Sequence, residues 1–282
     1  MERRILIVGM MMAFTFIGCK EFKHQNSDDS ALEKDSVELA DELTEEESMD
    51  DLISDEPMPT SAEELFDDFL FNFASNKRLQ MERVAFPVVV SSEAKTDTLV
   101  RNEWQMEHFF MHQEEYTLIF DNEAQMELVK DTSINHVVVE KIFLEQGFVC
   151  QYQFDRRKGR WMLDRMNKQT MSHNPNASFL SFYRRFATDS VYRKHSLSDE
   201  IIFCGPDPDN DFEQMEGVIT PDFWEAFAPE LPHGIIYNIV YGHYMAHSNK
   251  KILVLRGIAN GLEVEMTFRY EHNQWKLTKL SE

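Results

Sequence analysis

Residues 61–169 and 176–282 run through the same order of patterns, and this internal repeat constrains the fold more than any other feature of the chain. Repetition at such a length predicts two like units in succession. Each half opens with a helix. In the first, Leu65, Phe66, Phe69, Leu70 and Phe73 recur at helical spacing behind Ser61-Ala62-Glu63-Glu64, a sequence able to cap the free N–H groups of a helix start. In the second, Asn176 stands at the cap position, and Phe179, Phe182, Tyr183 and Phe186 form the stripe. Both stripes end alike, in Phe73-Ala74-Ser75-Asn76 and Phe186-Ala187-Thr188-Asp189.

Each half closes with strands. Phe148, Cys150, Tyr152 and Phe154 alternate with Val149, Gln151, Gln153 and Asp155; 116 positions later Val264, Met266, Phe268 and Tyr270 alternate with Glu265, Thr267, Arg269 and Glu271. Such alternation marks strands with one buried face. On this alignment the next turn is two residues longer in the first half, Asp155–Arg160 against Glu271–Gln274. Trp161-Met162-Leu163 and Trp275-Lys276-Leu277 then begin matching last strands, and upstream Val137–Val139 matches Leu253–Leu255. Met171-Ser172-His173-Asn174-Pro175 reads as a polar linker between the halves. Helices followed by antiparallel strands predict an α+β chain.

The first nineteen residues are basic, then apolar, then small: Arg3 and Arg4, the run Ile5 to Ile17, and Gly18-Cys19. The run is too short to span a bilayer and matches a secretory signal core. Phe16-Ile17-Gly18-Cys19 resembles a bacterial lipobox, with Phe16 where Leu is usual. That resemblance implies a signal peptide over residues 1–18 and a lipidated Cys19 holding the chain to a lipid bilayer. Residues 20–60 carry fifteen acids against three lysines. Such a composition is poor in burial and rich in repulsion, which predicts a disordered acidic tether over 19–60. The net charge of −22 falls mostly there. The remaining acidity, with no basic stripe, argues against nucleic acid as a partner.

Helical opening, long meander and a Trp-bearing final hairpin resemble the nuclear transport factor 2-like, or cystatin-like, cone. Two such units behind a lipobox and an acidic tether resemble a family of Bacteroidetes lipoproteins of unknown function. The resemblance implies two tandem cone-like domains, 61–170 and 171–282, each with N-terminal helices packed on a curved antiparallel sheet around a pocket. It also implies a place in the bacterial cell envelope, anchored at the outer membrane on its periplasmic face or on the cell surface. It implies no particular activity.

Among residues that could carry chemistry, the odd positions of Ile235–His247 put Tyr237, Tyr241, His243 and His247 on one strand face beside Ile235 and Ile239. Apolar walls with few polar groups suit a small-molecule pocket, and histidine can move protons near neutrality. His108 and His112 are four apart, but no H-E-x-x-H surrounds them, and Phe109-Phe110 matches Phe223-Trp224 in the second half, which points to packing. Gly205–Asp211 lacks the spacing of a calcium loop and reads as a Pro-rich turn. Cys150 and Cys204 leave both a bridge and free thiols open. The chain has no G-x-G-x-x-G, no G-x-x-x-x-G-K and no G-x-S-x-G, and no cofactor or metal is expected. These readings favour a non-enzymatic binding module for a small ligand or an envelope protein. An acid–base enzyme (isomerase, dehydratase or hydrolase) using His243 or His247 with Tyr241, and a structural part of an envelope complex, are the alternatives.

Overall fold

The computed structural model describes residues 64–207, 210–242 and 248–282. Cys19, the signal segment, the tether, Ser61 of the capping sequence, His243 and His247 lie outside the described residues.

The first half contains α1 (Phe66–Ser75), α2 (Lys77–Arg83), β1 (Val84–Ser92), β2 (Thr96–Leu99), β3 (Glu115–Phe120), the single turn α3 (Glu123–Met126), β4 (His136–Phe143), β5 (Phe148–Arg157) and β6 (Arg160–Thr170). The second contains α4 (Ala177–Thr188), α5 (Ser190–His195), β7 (Leu197–Asp207), β8 (Asn210–Ile219), β9 (Ile235–Tyr241), β10 (Lys250–Gly257), β11 (Glu263–Glu271) and β12 (Gln274–Ser281). The class is α+β: one large sheet and few helices. No helix among the described residues is long and apolar enough to cross a membrane.

All twelve described strands join one sheet, in the order β2-β1-β6-β5-β4-β9-β3-β10-β11-β12-β7-β8. The sheet is mixed, which corrects the expectation of purely antiparallel pairing. β1 lies parallel to β6 and β12 parallel to β7, so in each half the strand that follows the helix pair runs alongside the last strand in the same direction. The order holds a second departure. β3 does not pair with β4, its neighbour in the chain, but with β10; β9 pairs with β4 rather than with β10. Each half has therefore given its third strand to the other. The two exchanged strands touch in parallel at Thr117 and Asn238.

The ladders also set the register of the repeat. A bulge falls before Phe154 in the β5–β6 hairpin and before Phe268 in the β11–β12 hairpin, 114 positions apart. Both hairpins close on two residues, Lys158-Gly159 and His272-Asn273, all four at positive φ as a type I′ turn requires. The offset is thus 114 rather than 116, and the turns are equal in length. Alternation repeats every two residues, so a slip of two leaves the apolar pattern unchanged.

Two cores result. Phe66, Phe69 and Phe73 of α1 meet Phe154, and Phe66 meets Trp161, at centroid distances of 5.0–5.8 Å. Phe179, Phe182 and Phe186 of α4 meet Phe268 at 5.2–5.6 Å, and Phe179 meets Trp275 at 5.4 Å. Edge-on ring pairs of this kind contribute roughly 0.5–1.5 kcal/mol each beyond their buried area. Each core takes in the borrowed strand: Tyr237, Ile239 and Tyr241 enter the first, Ile119 the second.

The caps differ from expectation. α1 starts after Leu65 with no side-chain cap, and the Glu64 carbonyl instead accepts from Arg156 Nη2 at 2.9 Å and Trp161 Nε1 at 3.2 Å. Asn176 stands at the start of α4, but its side chain accepts from buried Lys251, which also pairs with Asp121. Nor is the linker a solvated one. Met171 and Asn174 are buried, and Asn174 Nδ2 donates to Glu140 at 2.7 Å. Residues Gly205–Asp207 end β7 and Asn210 opens β8, so that segment is a hairpin end.

Candidate functional site

β9 is buried on both faces. Tyr237, Ile239 and Tyr241 face the first core, and Ile236, just before them, faces the second. Two polar groups form where its tyrosines land, and each joins residues of both halves.

Tyr237 meets Glu107, which lies in the loop before β3. Glu107 Oε2 accepts from Tyr152 Oη at 2.8 Å, and Oε1 accepts from Lys141 Nζ at 3.1 Å and from the Phe109 N–H at 3.2 Å. Gln80 of α2 fixes the loop: its Oε1 accepts from the Glu107 N–H at 3.1 Å and its Nε2 donates to the Glu107 carbonyl at 2.7 Å. Burial and the Glu107 charge push the Tyr152 hydroxyl far above its ordinary range, so it stays a donor. Burial opposes the charge of Lys141, yet its bond to Tyr237 and the charge of Glu107 keep its pKa raised. Beside Lys141 on β5 is Cys150, and beside Cys150 on β6 is Lys168, whose ammonium lies 4.1 Å from the Phe148 ring centre. Burial raises the Cys150 thiol, against the pull of the two lysines. Cys150 and Cys204 are both free thiols.

Positions equivalent to this cluster in the second half carry a different chemistry. Leu255 stands for Lys141, Val264 for Cys150, Leu262 for Phe148 and Glu282 for Lys168, each 114 positions on, while the ladders set Glu115 opposite Gly257 as Ile235 is opposite Phe143. Here the surface opens into a half-open cavity of about 420 Å³. Leu255, Leu262, Val264 and Pro229 give it apolar walls; Glu114, Glu115, Glu230, Glu263 and Glu282 surround them. Burial, then the charges of Glu114 and Glu230, raise the pKa of Glu115, a sign of negative charge crowded together. Arg256 pairs with Glu263 at 3.0 Å.

Tyr241 donates to Asp67 at the start of α1, and Arg256 approaches the same carboxylate at 3.8 Å. Burial raises the pKa of Asp67 despite both partners, and burial with the Asp67 charge pushes Tyr116 up to about 12. Both tyrosines named from the sequence are thus at polar junctions, separated by Ile239. His108 and His112 sit on a 3-10 turn with ring centres 4.8 Å apart, and the same turn drives Phe109 and Phe110 into the core. Among the described residues no group of three metal-ligating side chains comes together.

Glu107, Lys141 and the acidic pocket are not legible in the sequence because their members come from strands and loops far apart in the chain. One further pair was unforeseen: His136 Nδ1 lies 2.7 Å from Asp155 Oδ1 across β4 and β5, and Asp164 beside it has a pKa raised by burial and by its bond to Asp155. On that side of the sheet a groove of about 490 Å³ runs between β1 and β6, lined by Phe86, Pro87, Val89, Arg157 and Arg165 among others.

The pattern of DUF4348, described as a domain of unknown function, matches residues 45–282. An NTF2-like protein from Bacteroides fragilis NCTC 9343, known from its crystal structure, superposes with a TM-score of 0.74 at 38% identity, over 80% of this chain and 98% of its own. No curated protein matches this chain.

Proposed function

The chain belongs to the DUF4348 family, and from that premise we propose that it is a non-enzymatic binding module whose acidic pocket takes a small cationic ligand with an apolar body. The observation that carries this reading is the cavity of about 420 Å³ with aliphatic walls and five surrounding glutamates. An ammonium or guanidinium head would relieve the crowding around Glu115, and an alkyl or aryl body would cover Leu255, Leu262 and Val264. The Glu107 cluster supports a binding role over a catalytic one, because its carboxylate is already taken by Lys141, Tyr152 and a backbone N–H. A general base needs a lone pair turned toward substrate.

In this reading the folded residues form two tandem cone-like units with exchanged third strands, held in the bacterial envelope by lipid on Cys19. The cysteine context, the apolar run before it and the acidic segment after it support that placement. The half-buried His136–Asp155 pair favours the acid–base alternative, since a carboxylate orients such a ring for proton transfer.

Calorimetric titration with hexylammonium, against uncharged hexanol as control, tests the proposal. Saturable binding of the amine alone, weakened at least tenfold in E115Q/E230Q, is the expected result. Equal affinity for the alcohol, or an unchanged affinity in the variant, would refute the cationic reading.

A further inference from the structure

The strand exchange has a counterpart in the loops. The segment 107–115 begins at Glu107, in the cluster with Lys141 and Tyr152, and ends at Glu114 and Glu115, on the rim of the acidic pocket. The segment 229–237 runs the other way. It begins at Pro229 and Glu230 on that rim and ends at Tyr237 in the Glu107 cluster. Each loop therefore spans both places. They are tied together where Gln113, near the pocket end of the first, donates its Nε2 to the carbonyl of Ile235, near the cluster end of the second, at 2.9 Å. Each is also fastened to a helix: Gln80 of α2 holds Glu107, and Tyr183 of α4 donates to the Pro232 carbonyl at 2.9 Å. Within the first loop Phe109 has a φ of +48°, a conformation that a residue with a side chain adopts only under constraint. Its ring lies 5.0 Å from that of Tyr152.

A displacement of Glu114, Glu115 or Glu230 has few ways to dissipate. The loops are short, each runs directly into a strand of one continuous sheet, and the two are cross-linked. We propose that the two places are coupled: a cation in the acidic pocket, by drawing the glutamates of both crossing loops together, resets the Glu107–Lys141–Tyr237 cluster at the other end. The coupling rests on the binding proposed above for the acidic pocket. It is a property of which strand each residue rides on, so rim residues outside the two loops should not transmit it.

Cys150, the neighbour of Lys141, is a built-in reporter. In the full chain with Cys19 and Cys204 replaced by Ser, the rate at which Ellman's reagent modifies Cys150 is measured with and without saturating hexylammonium. We expect the rate to change at least threefold, and to return to within 1.5-fold of the unliganded rate in Q113L, which cuts the tie. E115R should shift the unliganded rate at least threefold. E282R, the same charge reversal on the same rim but on neither loop, should leave it within 1.5-fold. Calorimetry is run in parallel. Binding of the amine without a change in Cys150 rate overturns the coupling and leaves the ligand reading standing. If no amine binds, the ligand reading fails, and the pair E115R and E282R decides: equal rates in the two overturn the coupling as well. Urea midpoints of the variants within about 0.5 M of the parent identify rates that report folded protein.

Discussion

Glu140 of β4 is wholly buried and holds three amides at the joint between the halves, which makes it the most exacting place to test the packing argument. Its Oε1 accepts from Gln151 Nε2 at 3.0 Å and Asn174 Nδ2 at 2.7 Å; its Oε2 accepts from Asn238 Nδ2 at 3.0 Å. None of these amides is free to turn round. Asn238 Oδ1 already accepts the Ile119 N–H at 2.9 Å, Asn174 Oδ1 the Asn176 N–H at 2.8 Å, and Gln151 Oε1 accepts Asn167 Nδ2 at 3.1 Å. Glu140→Ala thus orphans three locked donors. At about 1–3 kcal/mol for each buried unsatisfied group, less whatever a water filling the space restores, the cost is roughly 3–6 kcal/mol. Glu140→Gln keeps the shape but must turn its nitrogen toward one donor, so it should cost roughly 2 kcal/mol. With an m-value of about 2 kcal/mol/M, the urea midpoint should fall by roughly 1.5–3 M in the first variant and about 1 M in the second. A midpoint shift below about 0.5 M for Glu140→Ala would refute the reasoning, as would a Gln variant less stable than the Ala variant.

Two further outcomes follow from the same geometry. Glu115 has a folded pKa above its unfolded one, so the folded state binds its proton more tightly; this group's contribution to stability is full below the unfolded pKa near 4.5 and is lost as pH rises through the raised value. Denaturation midpoints of E115Q relative to the parent should therefore rise from pH 4 to pH 7, and a flat difference would show that neither burial nor the neighbouring glutamates hold that proton. The exchange of β3 and β9 also predicts that residues 58–173 and 174–282, produced apart, lack cooperative urea transitions, and that the two co-expressed recover one; an isolated half with its own sharp transition would contradict the mutual completion of the cores.

Much of the fold is legible in the chain, because alternation and helical stripes are local. The Phe66–Phe73 and Phe179–Phe186 faces, the β5–β6 and β11–β12 hairpins and the paired tryptophans all lie where periodicity puts them. What periodicity cannot carry is the identity of a partner. β3 reads Glu-Tyr-Thr-Leu-Ile-Phe and β9 reads Ile-Ile-Tyr-Asn-Ile-Val-Tyr, each apolar enough to be buried on two faces, so either could sit beside either β4 or β10. The selection rests on dispersed contacts such as Asn238 with Glu140, Thr117 with the Tyr237 carbonyl and Gln113 with the Ile235 carbonyl. The site was half visible for the same reason. Tyr237 and Tyr241 stand out on one strand, whereas Glu107 and Lys141 become neighbours only after the strands are placed.

The crossing of β3 and β9 bears on how such a chain can change over generations. In a simple duplication either copy can be lost, and each copy diverges on its own account. Here a substitution at Glu115 in the first half edits the pocket of the second, and one at Tyr237 in the second edits the cluster of the first. Neither half can be lost without taking a strand from the other. That leaves their polar sites able to part company in charge, Lys141 and Lys168 on one side and Leu255 and Glu282 on the other, while the scaffold that joins them stays common property.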